Sequence, residues 1–157
     1  MTRWAPARAD IIGEFADEIL HNYRSARAIV GVDGVPGADQ AAFADDLAEA
    51  FRERGSSAVR ASAELSHAEE FVDEVAKPFR AEPGAGVLVV DGTRLHDPTF
   101  LPVFAYTIWL TVPHRDPLPA SDEQSAYERR TSPRARATAN VDNSDPEHPR
   151  RTFADSC

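Results

Sequence analysis

The stretch Ala28-Ile-Val-Gly-Val-Asp-Gly-Val-Pro-Gly-Ala-Asp-Gln-Ala-Ala-Phe43 decides the fold of this chain. An apolar run ends in a glycine-rich turn, and the turn leads directly into a helical pattern. This arrangement aims the free N–H groups at the start of a helix toward an anion, as in loops that bind phosphate. The pattern therefore predicts a strand, a phosphate-loop framework and a helix. A tight turn in which Gly34 and Gly37 serve only as backbone hinges explains the same residues.

Three positions of this loop lack the side chains that bind a polyphosphate. In the register G-x-x-x-x-G-K-[ST] that starts at Gly34, Asp39 stands at the second glycine, Gln40 at the lysine and Ala41 at the hydroxyl. Gln40 offers a neutral donor instead of a cation, and Ala41 has no oxygen for magnesium. Asp39 places a carboxylate near the phosphate position, where two like charges about 4 Å apart repel by roughly 1 to 4 kcal/mol. We expect this degenerate loop to hold nucleotide weakly or not at all; its candidate binding residues are Gly34, Gly37, Ala38, Asp39, Gln40 and Ala41.

Composition favours one globular domain. The chain has 157 residues, of which 42% are hydrophobic, and a net charge of −9, which disfavours nucleic acid and anionic membranes as partners. It has no apolar run of about 18 residues and no secretory leader pattern, so we expect a cytoplasmic protein. The single cysteine, Cys157, excludes an internal disulfide framework. We predict a domain over residues 1–142 and a polar, poorly packed tail over residues 143–157.

Hydrophobic periodicity predicts helices that alternate with strands. Apolar residues at three- and four-residue steps indicate helices over residues 8–23, 40–54, 66–77 and 120–130. Apolar runs indicate strands over residues 28–32, 57–62, 86–92, 106–112 and 138–141. Ser66 and Glu69 have the spacing of a capping box at the third helix. The alternation predicts a three-layer α/β fold, with a mainly parallel sheet flanked by helices.

Four phrases along the chain carry a resemblance to a known family. They are Val30-Gly-Val-Asp-Gly-Val35, Leu88-Val-Val-Asp-Gly92, Ile108-Trp-Leu-Thr-Val-Pro113 and Val141-Asp-Asn-Ser-Asp-Pro146. In this order and spacing they resemble the uridine kinase-like P-loop proteins of actinobacteria, nearly end to end. The resemblance implies a P-loop NTPase-like fold and an ATP-dependent phosphotransferase that acts on a nucleoside-like hydroxyl, with ATP and Mg²⁺ as cofactors.

The resemblance also implies roles for three side chains. Glu64 matches the aspartate that activates the acceptor hydroxyl, Asp91 matches the carboxylate that holds magnesium, and Asn143 lies near the segment that passes the adenine. Each has a plain structural explanation: a solvated turn residue, a cap at the end of a strand, and an Asp-Asn-Ser turn. The chain departs from the family by a shortened acceptor segment after His67 and by a lid region that offers only Arg115 in place of several arginines.

Three functional interpretations follow. The first is a degenerate kinase-like protein in which phosphotransfer is lost and a binding or regulatory role remains. Its partner would be a nucleotide or another protein. The second is an active nucleoside or small-molecule kinase that uses Glu64 as the base and Arg115 or Arg129 as the cation. The third is a small-ligand protein whose carboxylates Asp33, Glu64 and Asp91 bind a cationic ligand or a divalent metal.

Overall fold

A computed structural model describes residues 6–153 and contains a six-stranded sheet with the strand order β2-β3-β1-β4-β5-β6. The strands β1 to β5 are parallel, and β6 is antiparallel to β5. The strands are β1 Arg27–Gly34, β2 Ala58–Glu64, β3 Gly86–Thr93, β4 Tyr106–Thr111, β5 Ala139–Asp142 and β6 Arg150–Thr152.

Helices cover both faces of this sheet. They are α1 Arg8–Asn22, α2 Gln40–Glu53, α3 Ala68–Phe71, α4 Lys77–Ala81, α5 Asp122–Thr131 and α6 Pro133–Arg136. Within β1, Val30 and Val32 pack into the core beneath α1 and α2, while Ile29 belongs to the core on the opposite face. Because successive strand residues point to opposite faces, this alternation requires two packed layers around the sheet. The predicted three-layer α/β fold with a mainly parallel sheet is confirmed.

The helix predicted over residues 66–77 is divided into short pieces. A 3-10 turn at Leu65–His67 precedes α3, and a π-helical turn at Val72–Ala76 separates α3 from α4. The capping box predicted here is wrong, because the residue that caps α3 is His67, which makes no side-chain capping bond. Ser66 lies inside the 3-10 turn, and its hydroxyl donates to the Glu64 carboxylate at 3.5 Å instead.

The segment after β5 packs more closely than its composition suggests. Asn143 is only 2% exposed, and Arg150–Thr152 pairs with β5 as an edge strand. The prediction of poor packing from residue 143 onward is therefore wrong for these residues, because β6 covers the hydrogen-bonding edge that β5 would otherwise present. Cys157 lies outside the described residues. Across residues 6–153, no helix has the length and apolar character needed to cross a bilayer.

Candidate functional site

In the loop between β1 and α2, the Asp39 carboxylate accepts a hydrogen bond from the first turn of α2. Gly37 has a φ of +83°, and Asp39 has a φ of 59°, a left-handed conformation that glycine adopts without strain. From this position the Asp39 carboxylate accepts a hydrogen bond from the Ala42 N–H at 3.3 Å. The helix terminus that would face a phosphate thus has an internal anion beside it.

Gln40 fills the centre of the same loop. Its side-chain amide donates to the carbonyl oxygens of Gly34 and Gly92, each at 3.3 Å. Gly34 closes β1 and Gly92 lies near the end of β3, so the amide bridges these two adjacent strands. Gln40 occupies the position of the lysine in a phosphate loop, and its side-chain amide is therefore already bonded to backbone carbonyls.

Two further segments hold the loop in place. Asn143, behind the loop, donates its side-chain N–H to the Ala38 carbonyl oxygen at 2.9 Å. On the outer side, a Cβ added to Gly37 would lie 2.7 Å from Leu118, so the Pro-rich segment 113–120 passes directly over the loop. Arg115 in that segment donates to the Ser144 carbonyl at 2.7 Å and is thereby tied to the loop after β5.

Asp33, the residue before Gly34, belongs to a fully buried polar cluster. Its carboxylate accepts hydrogen bonds from the Gly34 N–H at 2.8 Å, the Leu95 N–H at 3.2 Å and the Tyr127 hydroxyl at 2.7 Å. His96 Nδ1 is 3.0 Å from the same carboxylate and, facing an acceptor, acts as a donor. Burial, together with the charge of Asp33, raises the pKa of Tyr127 well above its usual value, so this phenol remains a donor.

Asp91 lies at the carboxyl end of β3 beside β2. The Ser62 hydroxyl donates to Asp91 Oδ1 at 2.7 Å, and Arg60 Nη2 lies 2.9 Å from the same oxygen. Strand register places Ser62 directly opposite Asp91. Asp91 is therefore held by a hydroxyl and a guanidinium, both from β2.

A cleft of about 640 Å³ opens between α2, the ends of β2 and β3, and the short helices that follow β2. Among the described residues, its lining contains no lysine or arginine, and His67 is its one basic side chain. Phe71, Val75 and Ala63 supply an apolar wall. The carboxylates that line the cleft are Asp39, Glu64, Glu70, Glu74 and Asp91.

The structure brings together only part of the predicted set of residues. Asp39, Gln40, Ala41, Glu64 and Asp91 line one cleft. Gly34, Gly37 and Ala38 form the loop beside it, and Asn143 is buried behind that loop. The catalytic and binding roles assigned to all of these residues remain predictions.

Magnesium does not fit the residues that would hold it. Magnesium requires hard oxygen ligands in near-octahedral geometry. Ala41 has no side-chain oxygen, and Ser62 and Arg60 both contact Oδ1 of Asp91, so a metal at this carboxylate would lie beside the Arg60 charge. Within residues 6–153, no group of three or more His, Cys, Asp or Glu side chains is placed to hold a metal ion.

A polyphosphate fits the loop no better. Its charge would lie beside the Asp39 carboxylate, and the Gln40 amide would have to leave two backbone carbonyls to reach it. The cleft next to the loop is lined by carboxylates, which repel an anion. Neither cofactor implied by the sequence resemblance is thus matched by the side chains present.

Several residues of this site escape sequence analysis. Arg60 and Ser62 alternate along β2, a signal that could place both on the face of Asp91 once the order β2-β3 is known. Glu70 and Glu74 are four residues apart, which is the spacing of one helix face. Asp33 was expected to share a ligand with Glu64 and Asp91, but it is fully buried and does not line the cleft.

Comparisons with solved structures agree with this architecture. The fold is similar to that of a possible uridine kinase from Bacillus stearothermophilus, with a TM-score of 0.64 and 14% sequence identity, over 83% of this chain and 97% of the other. It is also similar to a candidate fructose transport system kinase from Silicibacter sp. TM1040, with a TM-score of 0.51 and 14% identity, over 65% of this chain and 75% of the other. No protein-family model matches the sequence, and no curated protein matches it.

These similarities define the class of fold. At 14% identity they show a P-loop kinase-like α/β architecture and carry no information about the ligand of this chain. The mostly parallel six-stranded sheet, flanked by helices, is the architecture they share.

Proposed function

We propose that this chain is a degenerate member of the uridine kinase-like P-loop group, which keeps the fold and acts as a binding or regulatory module without productive ATP binding. The observation that carries the proposal is the pair of internal contacts in the loop. Asp39 bonds the start of α2, and Gln40 bonds the carbonyls of Gly34 and Gly92. The Ala42 N–H and the Gln40 amide, which could donate to a bound phosphate, thus already donate to oxygen atoms of the chain itself.

Charge around the cleft supports the same conclusion. Phosphoryl transfer depends on cations that stabilise the transferring group, and such cations account for several powers of ten in rate. The candidate cations of an active enzyme, Arg115 and Arg129, do not line the cleft. Arg115 is tied instead to the Ser144 carbonyl. A base such as Glu64 would therefore act without either of these two arginines lining the cleft.

Isothermal titration calorimetry with ATP and Mg²⁺ tests the proposal. The wild type should show no saturable binding below about 1 mM, because the loop presents an acid and two neutral side chains. The triple variant Asp39→Gly, Gln40→Lys and Ala41→Thr restores the loop register and should bind ATP at least about tenfold more tightly. Metal-dependent binding by the wild type below about 1 mM would contradict the proposal.

A charge-matched control separates the loop from the overall charge. Glu53→Lys at the far end of α2 changes the net charge by the same two units as Asp39→Gly with Gln40→Lys. Because this position is at the opposite helix end, the variant should leave ATP binding unchanged. Radiolabelled phosphate transfer to a nucleoside, lost in Glu64→Ala, would instead establish the active kinase.

The shape and charge of the cleft favour a second candidate, a small organic cation as the ligand. The 640 Å³ cleft combines an apolar wall at Phe71 and Val75 with surrounding carboxylates, so it offers both packing and charge to an amine. Thermal-shift measurements with polyamines, which are cations, and with ATP, which is an anion, distinguish the two ligand classes. Stabilisation of the wild type by a polyamine would support this ligand class if the double variant Glu70→Gln with Glu74→Gln shows a smaller stabilisation. Stabilisation by ATP alone would exclude it.

A further inference from the structure

The Arg60 guanidinium lies at a junction of three elements. Its Nη2 is 2.9 Å from Asp91 Oδ1 on β3, and its Nε is 2.9 Å from Asp45 Oδ1 on α2. Nη2 also donates to the Ala41 carbonyl oxygen in the first turn of α2, at 3.5 Å. The Arg60 side chain is 20% exposed and that of Asp91 is 14% exposed, so this pair is largely shielded from solvent, whereas Asp45 is 67% exposed.

Backbone contacts fix the orientation of this guanidinium. Its Nη1 donates to the carbonyl oxygens of Ala61 at 2.7 Å and Val89 at 3.1 Å. A planar guanidinium with several donors in a rigid fork is suited to such multidentate contact, and it keeps its charge at every accessible pH. Arg60 is therefore a cation held in one place by β2, β3 and α2.

Two of the oxygens around Arg60 belong to residues at positions that a phosphate-loop site uses for its metal. Residue 41 is the position of the metal-binding hydroxyl in the loop register, and Asp91 is the carboxylate at the strand end. In this chain the Ala41 backbone carbonyl and the Asp91 carboxylate both face the guanidinium.

We propose that Arg60 is a resident cation that replaces the divalent metal, neutralises Asp91 and Asp45, and fastens the loop helix α2 to the sheet. The inference goes beyond the proposed function, because it concerns the cation of the site whichever ligand the cleft binds. Arg60 is a positioning residue in this account. Arg60 and Ser62 both contact Oδ1 of Asp91, so a divalent ion at this carboxylate would lie beside the guanidinium and be repelled by its positive charge.

Electron paramagnetic resonance of Mn²⁺, titrated in the absence of nucleotide, tests the inference. Mn²⁺ accepts the same oxygen ligands as Mg²⁺ and loses its aqueous signal when bound. Wild-type protein should bind Mn²⁺ only weakly, and Asp91→Asn should leave that binding unchanged. Arg60→Gln removes the positive charge paired with Asp91 and Asp45, so it should bind Mn²⁺ at least about tenfold more tightly than the wild type.

The matched control is Arg52→Gln. Arg52 contacts Glu49 and the Ala58 carbonyl, and its removal changes the net charge by the same amount without freeing Asp91. Equal Mn²⁺ affinity in Arg60→Gln and Arg52→Gln would overturn the inference. The inference would also be overturned if the wild type bound Mn²⁺ with a dissociation constant below about 1 mM and Asp91→Asn abolished that binding. This second test does not require Arg60→Gln to fold. Because nucleotide is absent, neither result depends on the ATP titration.

Discussion

The loop at the end of β1 and the cleft beside β2 and β3 adjoin each other, yet their polar groups are satisfied in different ways. In the loop, Gln40 and Asp39 bond backbone groups of the chain itself, and Asp33 beneath them is buried with four donors around it. In the cleft, Glu64, Glu70 and Glu74 are exposed to solvent. The difference indicates that the loop now serves structure and that any remaining capacity for a ligand lies in the cleft.

The largest expected effect on stability comes from Asp33, the buried carboxylate beneath the loop. Asp33→Ala leaves the donors of Tyr127, His96 and Leu95 without their acceptor in the core, so we expect a loss of about 3 to 5 kcal/mol in the free energy of unfolding. Glu64→Ala in the open cleft should cost no more than about 0.5 kcal/mol. Urea denaturation measures both values, and similar losses in the two variants would show that the two regions do not differ as described.

Asp39 provides the next largest effect. Asp39→Ala loses the cap of α2 and puts a side chain that disfavours the left-handed region at a φ of 59°, so it should destabilise the protein by about 1 to 2 kcal/mol. Asp39→Gly loses the same cap but removes the backbone strain, so its stability should stay within about 0.5 kcal/mol of the wild type. Thermal unfolding of the two variants would contradict this account if glycine were the more harmful substitution.

Gln40 should matter less, because its bonds are neutral and long. Gln40→Leu removes two hydrogen bonds of 3.3 Å to the Gly34 and Gly92 carbonyls while keeping a similar volume, and we expect a cost of about 1 kcal/mol. Gln124→Leu is the control, since its amide bonds only the Glu128 side chain within α5. Urea denaturation measures both variants, and a cost no larger in Gln40→Leu than in Gln124→Leu would argue against the bridge.

The smallest effect is a dependence on pH at Asp97, in the segment that follows β3 and carries His96. Burial raises the pKa of Asp97, but hydrogen bonds from Thr99 and the charge of Arg130 outweigh it, so the pKa lies below its usual value. A depressed carboxyl pKa contributes stability above the unfolded-state value of about 3.9, and this stability is lost as the pH falls through the folded-state pKa.

The corresponding variant is Asp97→Asn. Its difference from the wild type in free energy of unfolding should be constant above about pH 5 and should shrink below about pH 3.9. Denaturant titrations over this acid range measure the difference. A gap that widens toward low pH would contradict the assigned direction.

The fold could be predicted from the sequence because its signals are local. The run from Ala28 to Phe43 contains a strand, a turn and a helix in continuous order, and the apolar run Val87 to Val90 is typical of a central parallel strand. The β6 strand was missed because three residues, Arg150–Thr152, follow a polar segment rich in proline and carry no periodicity of their own.

The site was harder to predict because its decisive contacts join distant parts of the chain. Tyr127 lies 94 positions from the Asp33 carboxylate it bonds, and Arg60 lies 29 positions from the Val89 carbonyl it contacts. The exchanged side chains at Asp39 and Gln40 predicted weak nucleotide binding, but not the internal bonds they make. Only strand order and register place Arg60 beside Asp91.

A crystal structure grown with a non-hydrolysable ATP analogue and Mg²⁺ tests the central claim most directly. The account predicts that the Gln40 amide still bonds the Gly34 and Gly92 carbonyls, that Arg60 still bonds Asp91, and that no triphosphate lies over residues 34–41. A triphosphate seated on that loop with its metal at Asp91 would contradict it.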